Sequence, residues 1–351
     1  MARGDLDPVL TYRPDRTPLC DPHWLAALDF LEDRCLQLIE HLEQTPHTQV
    51  HTNAQIALSP IGNYVPAPRC LSKHQVAVTF FESGQLSRAY IDQLDPFSLV
   101  ITGSKWNQRV LEESGCDKAV MVHQGIDPSR FNPIAVPRLL HRSLVVFSGG
   151  KLEARKGQDI VLAAFRRLLN HLPDALLIPC WANLGGVGLE TIGECGWVKG
   201  VPSDGGGQAL LEWLEANGIP RNNVMTPPQL VNSQLPNLIK QADVAVFTSR
   251  CEGGTNLMAM ETLGCGIPTV LSSNTGHLDL LEMGLDHCIP IGTSGHGQVM
   301  PSITRRYGGD AAGVWGETDP DELVEVLLQI ASDKAQWHLS LIHISEPTRR
   351  Y

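Results

Sequence analysis

The segment 242–273, ADVAVFTSRCEGGTNLMAMETLGCGIPTVLSS, leaves this chain few folds to choose from. An apolar, β-branched run over 244–248 is bounded by Asp243 and Ser249 and reads as a buried parallel strand. A tight turn follows, Glu252-Gly253-Gly254-Thr255, and then helical spacing from about Asn256 to Leu263. Thr255 is placed to cap that helix, Gly264 and Gly266 stop it, and Pro268 prevents its return. A second buried run over 269–272 completes a βαβ unit, which commits its surroundings to a parallel sheet.

The rest of the chain alternates in the same way. From Ser143 onward, strands are expected near 144–147, 175–180, 224–226, 244–248, 269–272 and 287–291. Helices are expected near 158–172, 208–217, 234–241, 256–263 and 319–332. This is the pattern of a doubly wound sheet, whose ligands bind beyond the carboxyl ends of the strands. Residues 185–207 are glycine-rich without a period and read as a surface insertion. The first half is sparser. Residues 24–42 form an amphipathic helix through Leu25, Leu28, Leu31, Cys35, Leu38, Ile39 and Leu42. Strand-like runs follow at 49–58, 75–81, 99–102 and 119–123, with a helix over 105–114 stopped by Gly115. Residues 134–141, which follow Pro133 and contain Pro137, read as a linker. The expected division is 1–136 and 137–339, with 340–351 as a tail.

The turn at 252–255 carries chemistry. Paired glycines let backbone approach a ligand without a Cβ clash. The unpaired N–H groups of a helix start favour an anion by roughly 0.3–1 kcal/mol. Glu252 and Glu261 bracket that start, so amides would take phosphates while carboxylates take sugar or ribose hydroxyls. An ordinary crossover with a capping glutamate fits the local spacing equally well. After the first strand of this half comes Ser148-Gly149-Gly150-Lys151-Leu152-Glu153-Ala154-Arg155-Lys156-Gly157, on the same sheet edge. It is neither a P-loop nor a G-x-G-x-x-G fingerprint. Lys151, Arg155 and Lys156 there would offset charge on a departing diphosphate; a solvated basic turn is the plain alternative. In the first half, His74, Glu82 and His123 lie at or beside strands from which a facing group could come. Each is individually accounted for by a structural or surface role. His277 caps or opens a helix.

A net charge of −11 argues against nucleic acid or an anionic membrane as the main partner. Nine scattered cysteines without a C-x-x-C pair fit free thiols in a reducing cytoplasm, and zinc is not expected. Asp5-Leu6-Asp7 has the form of a metal-binding D-x-D, but four prolines in the first 22 residues make chance the better explanation. The N-terminus lacks an apolar leader, and no run reaches the roughly 18 apolar residues of a membrane helix.

Taken together, residues 148–157, 235–249 (LPNLIKQADVAVFTS), 252–268 and 316–323 (GETDPDEL) resemble a family 4, or group 1, glycosyltransferase of the GT-B fold. Residues 123–133 (HQGIDPSRFNP) are similar to the segment ending that family's N-terminal domain. The resemblance implies an α/β protein of two Rossmann-like domains facing a cleft: an acceptor-side domain at 1–136, incomplete, and a donor-binding domain at 137–339. It implies retaining transfer from a nucleotide diphosphate sugar to a hydroxyl acceptor, with that sugar as substrate and no metal or other cofactor. Glu261 would hold the ribose hydroxyls. Glu252 and Lys156 would act at the donor sugar and diphosphate as the catalytic pair. Gly149, Gly150, Lys151, Gly253, Gly254, Thr255, Asn256 and Leu257 would complete the donor site. Lys151 stands where arginine is commoner.

Two departures stand out. The family separates its two glutamates by seven residues, whereas eight lie between Glu252 and Glu261, the extra one falling within 253–256. Nothing before Val50 resembles the family's opening strand and glycine loop, and 339–351 (LSLIHISEPTRRY) resembles adapter read-through. A fragment truncated at both ends, with a non-native tail, is therefore expected. Two other readings stay open: a sugar-nucleotide epimerase of the same fold, and a non-catalytic nucleotide-binding module. An NAD-linked dehydrogenase is disfavoured by the glycine spacing after Gly150.

Overall fold

The computed structural model describes residues 9–11, 22–46, 48–62, 65–183, 188–204, 206–228, 230–285, 287–293, 315–334 and 337, the side chains of 22–25, 27 and 28 excepted. Asp5-Leu6-Asp7, the tail 340–351, and the side chains of Leu25 and Leu28 lie outside the described residues.

In the first half, α1 (Pro22–Gln44) leads into β1 (Val50–His51), β2 (Ile56–Ile61), β3 (Cys70–Leu71) and β4 (His74–Thr79). Then come α2 (Arg88–Asp92), β5 (Leu99–Thr102), α3 (Lys105–Glu113) and β6 (Ala119–Met121). Strands β2, β4, β5 and β6 form a parallel sheet in that order, and β1 and β3 form a separate parallel pair. The second half runs β7 (Val145–Gly150), α4 (Gln158–Leu168), β8 (Leu176–Trp181), α5 (Gly207–Ala216), α6 (Leu235–Ile239) and β9 (Val244–Phe247). It continues through α7 (Leu257–Gly264), β10 (Thr269–Ser272), α8 (His277–Glu282), β11 (Cys288–Ile291) and α9 (Pro320–Ser332). Residues 132–141 between the halves carry no regular structure.

The second sheet has the order β11-β10-β9-β7-β8, all parallel. The strand order reverses between β7 and β9: one connection leaves outward to β8, the other toward β10. Loops leaving the carboxyl ends of such neighbours diverge and open a crevice, the usual ligand position in a doubly wound sheet. Valines and phenylalanines on β7 and β9 are buried on both faces, as two-sided packing of a parallel sheet demands. Helix α4 buries Ile160 through Phe165 against this sheet and α9 packs over α4. The two loops meet at Gly157, which has φ +69° and lies against the Thr248 carbonyl, where any Cβ would collide with backbone. Thr248 Oγ1 donates back to Gly157 O at 2.7 Å.

Several local expectations change. The expected strand at 224–226 is a single bridge from Val224 to Leu177, because the chain crosses β8 only briefly before turning away. The run at 49–58 splits into β1 and β2, and α2 has too few apolar positions to announce itself by periodicity. Within 185–207 the described part is no surface insertion: a 3-10 turn over Leu189–Glu194 buries Leu189 and Ile192, and Cys195 and Val198 join the core. Residues 184–187 and 205 are outside the described set. Helix α7 is capped by Asn256, not Thr255; Asn256 Oδ1 accepts from Ala259 N, with φ +63°, a conformation asparagine tolerates better than most residues. Among the described residues no helix is long and apolar enough to cross a membrane, and no cluster of three or more His, Cys, Asp or Glu could hold a metal.

Candidate functional site

At the crevice between β7 and β9, Lys156 Nζ lies 2.8 Å from both oxygens of Glu252. Lys156 ends a 3-10 turn over Ala154–Lys156, and Glu252 sits in the loop after β9. Glu252 is 4% exposed. Ser249 Oγ donates to its Oε1 at 2.6 Å and Asn256 Nδ2 at 3.1 Å, while Arg155 reaches Oε2 at 3.2 Å. Burial alone would raise this carboxyl, but Lys156, then Arg155 and His277, outweigh it and hold it down at about 2. Both oxygens are therefore filled by protein donors, and Glu252 is an anchor rather than an open acceptor. The Lys156 ammonium keeps one N–H beyond the two it gives to Glu252.

Behind Glu252 stands His277, fully buried at the start of α8. Ser272 Oγ gives its only proton to Ser249 O at 2.6 Å, so it accepts from His277 Nδ1 at 3.0 Å. That fixes Nε2 as the acceptor for Asn256 Nδ2 at 3.1 Å. Burial lowers this imidazole to about 4 even though Glu252 pulls the other way. At neutral pH it is uncharged and orients Asn256. His277 does open a helix, as its place after Asn274-Thr275-Gly276 implies. Its burial and partners were not readable from local sequence.

The glycine turn behaves differently from expectation. Gly253 stands against the Phe81 backbone of the first half, and Gly254 against Phe80 and Gln124. Ser104 Oγ donates to Gly253 O at 2.7 Å. The paired glycines thus admit the other half of the chain. Glu82 follows, its carboxylate 3.6 Å from Arg155, which also pairs with Glu153 at 2.6 Å. The Glu82 carbonyl accepts from Trp315 Nε1 at 2.8 Å. The N-terminal half therefore enters the site through Glu82.

Glu261 lies four residues into α7, roughly 6 Å along its axis from the first residue. It lines a pocket of about 210 Å³ together with Asn232 and Leu257 on one side and Gly125, Ile126, Asp127, Arg130 and Phe131 on the other. Burial pushes its carboxyl up to about 7, opposed by Asn232 Nδ2 at 3.3 Å. Gly149 packs against Met258 of the same helix, so the loop after β7 and helix α7 share one sheet edge. Gly150 has φ +120° and lies beside the Gln158 and Lys156 side chains, each 4.0 Å from where a Cβ would stand, and Lys151 is exposed next to it. Thr255 is buried, its hydroxyl turned onto Met260.

The histidines separate. His123 Nε2 lies 2.9 Å from Asp279 Oδ2, across the two halves, and the same oxygen accepts the Lys105 N–H at the start of α3. His74 starts β4, at the amino end of a strand whose carboxyl end leads to Glu82. That leaves it roughly 17 Å away along the strand. It is not brought to the cluster.

Residues 134–289 match the family model described as glycosyl transferases group 1. The D-inositol 3-phosphate glycosyltransferase of Segniliparus rotundus is 26% identical over 205 residues, covering 58% of this chain and 38% of that protein. YtcC of Bacillus subtilis is 22% identical over 205 residues, covering 54% and 46%. The match thus spans less than half the length of each relative. Among solved structures, a sucrose-phosphate synthase from Thermosynechococcus elongatus superposes with TM-score 0.55 at 15% identity, over 93% of this chain and 74% of that one. Anabaena HepE in complex with UDP gives 0.52 at 14%, over 93% and 86%. At such identities the likeness speaks for the fold, which is GT-B. The sheet reversal, the region that matches and the shared fold agree: over residues 134–289 the chain is similar to the group 1 glycosyl transferases.

Proposed function

We propose that this chain binds a nucleotide diphosphate sugar at the carboxyl edge of its second sheet, and that the whole protein transfers the sugar to a hydroxyl acceptor with retention of configuration. The observation that carries the reading is the meeting of Lys156, Arg155 and Glu252 at the strand-order reversal, with the Glu261 pocket on the same edge. Glu261 and Asn232 would accept and donate to ribose hydroxyls. Lys151, exposed beside Gly150, and the spare N–H of Lys156 would face the diphosphate, with the first amides of α7 adding their dipole. Cations held rigidly by a buried carboxylate need no reorganisation as charge builds on a departing diphosphate, which is where electrostatic catalysis gains most. Glu252 acts by holding them. Glu82 and His123 would be the first half's contributions, the former through Arg155. The nucleotide sugar is a substrate, and no resident cofactor is required by this reading.

The test is turnover of UDP-, GDP- and ADP-hexoses followed by proton NMR of the anomeric signal. Slow donor hydrolysis without acceptor, and a product of the donor's own anomeric configuration, are expected. Acceptor-independent conversion of the nucleotide sugar to an epimer contradicts the proposal, as does an inverted product.

A further inference from the structure

We propose that Arg250 is a positioning residue for the donor loop: its buried guanidinium fixes the main chain from which Arg155 and Lys156 reach Glu252. Its bearing on donor binding rests on the function proposed above. Arg250 is 1% exposed. Its guanidinium meets Asp159 at two points, NH1 to Oδ1 and NH2 to Oδ2, each 2.8 Å. NH1 also donates to Ala154 O at 2.7 Å, and Nε to Glu317 Oε2 at 2.9 Å. The Arg250 backbone N–H donates to Arg155 O at 2.7 Å, and its carbonyl accepts from Gly316 N at 2.8 Å. Gly316 follows Trp315, which holds the Glu82 carbonyl.

One side chain therefore ties together α4, the Ala154–Lys156 turn and the strut that touches the first half. A buried ion pair is a poor way merely to fill a core, since apolar residues of equal volume are commonly as stable. What an apolar side chain lacks is the directed bond to Ala154 O. With that bond the turn cannot rotate, and Arg155 and Lys156 leave it aimed at Glu252. Asp159, wholly buried in the first turn of α4, supplies the opposing charge where the helix dipole already favours it. Without Asp159 the guanidinium would have no two-point seat.

The experiment compares the parent chain with Arg250→Lys and with the triple variant Arg250→Met/Asp159→Leu/Glu317→Gln, which removes the guanidinium together with both carboxylates it pairs with. Hydrogen exchange of the backbone over 153–157 is read without any ligand, and UDP affinity is read by calorimetry. The triple variant is expected to fold, to exchange at 153–157 at least tenfold faster with β7 and β9 unchanged, and to bind UDP at least tenfold more weakly. Arg250→Lys, which keeps the charge but not the fork, should fall between. Unchanged exchange over 153–157 in a folded variant overturns the proposal. Loss of fold in both variants also overturns it, in favour of a purely structural ion pair. If the parent itself fails to bind UDP, the functional reading fails, while the exchange data still decide the role of Arg250.

Discussion

Lys156 and Glu252, 96 residues apart in sequence, form a two-oxygen contact at 2.8 Å in which the carboxylate is 5% exposed and the ammonium 14%. Removing one partner of such a pair leaves the other's charge in a poor solvent. Lys156→Met should therefore destabilise the chain by about 3 kcal/mol. Arg155 and Ser249 remain on Glu252 and keep the loss from growing larger. Urea midpoints measure it, and Lys156→Met combined with Glu252→Gln should recover at least half.

The pH dependence of stability follows from two groups of opposite sign. His277 titrates near 4 when folded, below its ordinary 6.5, so the unfolded chain takes up the proton first as pH falls. Its contribution is present above pH 6.5 and is lost between 6.5 and 4, about 3 kcal/mol in all. Glu261 titrates near 7 when folded, above its ordinary 4.5. Its contribution is present below pH 4.5 and is lost as pH rises through 7. Between 4.5 and 6.5 the two oppose each other. Glu261→Gln should expose the His277 slope, giving stability that falls more steeply from pH 6.5 to 4.5 than in the parent. Chemical denaturation across that range checks it, and an unchanged slope contradicts the burial assigned to Glu261.

Gly253 and Gly150 make a contrasting pair. A Cβ at Gly253 meets Phe81 backbone, while one at Gly150 makes only ordinary contacts with Gln158 and Lys156 but at a strained φ of +120°. Gly253→Ala should loosen the contact between the halves and speed proteolysis within 134–141. Gly150→Ala should cost about 1 kcal/mol of stability without that change. Limited proteolysis beside thermal melts separates the two.

His123→Ala removes a contact between halves and leaves Asp279, 3% exposed, still accepting the Lys105 N–H across the junction. Hydrogen bonds to charged groups are worth about 1.5–3 kcal/mol. A loss in that range, with His123→Gln recovering part of it, is expected in urea unfolding.

Much of the second half was legible in the sequence because buried parallel strands declare themselves by apolar runs and their helices by glycine and proline stops. The run at 269–272 and the helix ending near Gly264 are examples. Lys156 could be assigned to the carboxyl edge because loop order in a doubly wound sheet fixes which loops are neighbours. What the pattern could not carry was pairing across distance. Arg250 with Asp159, and His277 with Ser272 and Asn256, join residues that no local spacing connects. Paired glycines at 253 and 254 report only that something comes close, and the neighbours the structure places there are Phe81 and Phe80. His74 was weighed with Glu82 because both flank one apolar run, but only one end of a strand points at the crevice.

The most direct test of the central claim is calorimetric titration of the purified chain with UDP, GDP and ADP at pH 7.5, beside Glu261→Ala. The account predicts saturable binding of at least one nucleotide, weakened at least tenfold in Glu261→Ala. Absence of binding for all three, or equal affinity in the variant, contradicts it.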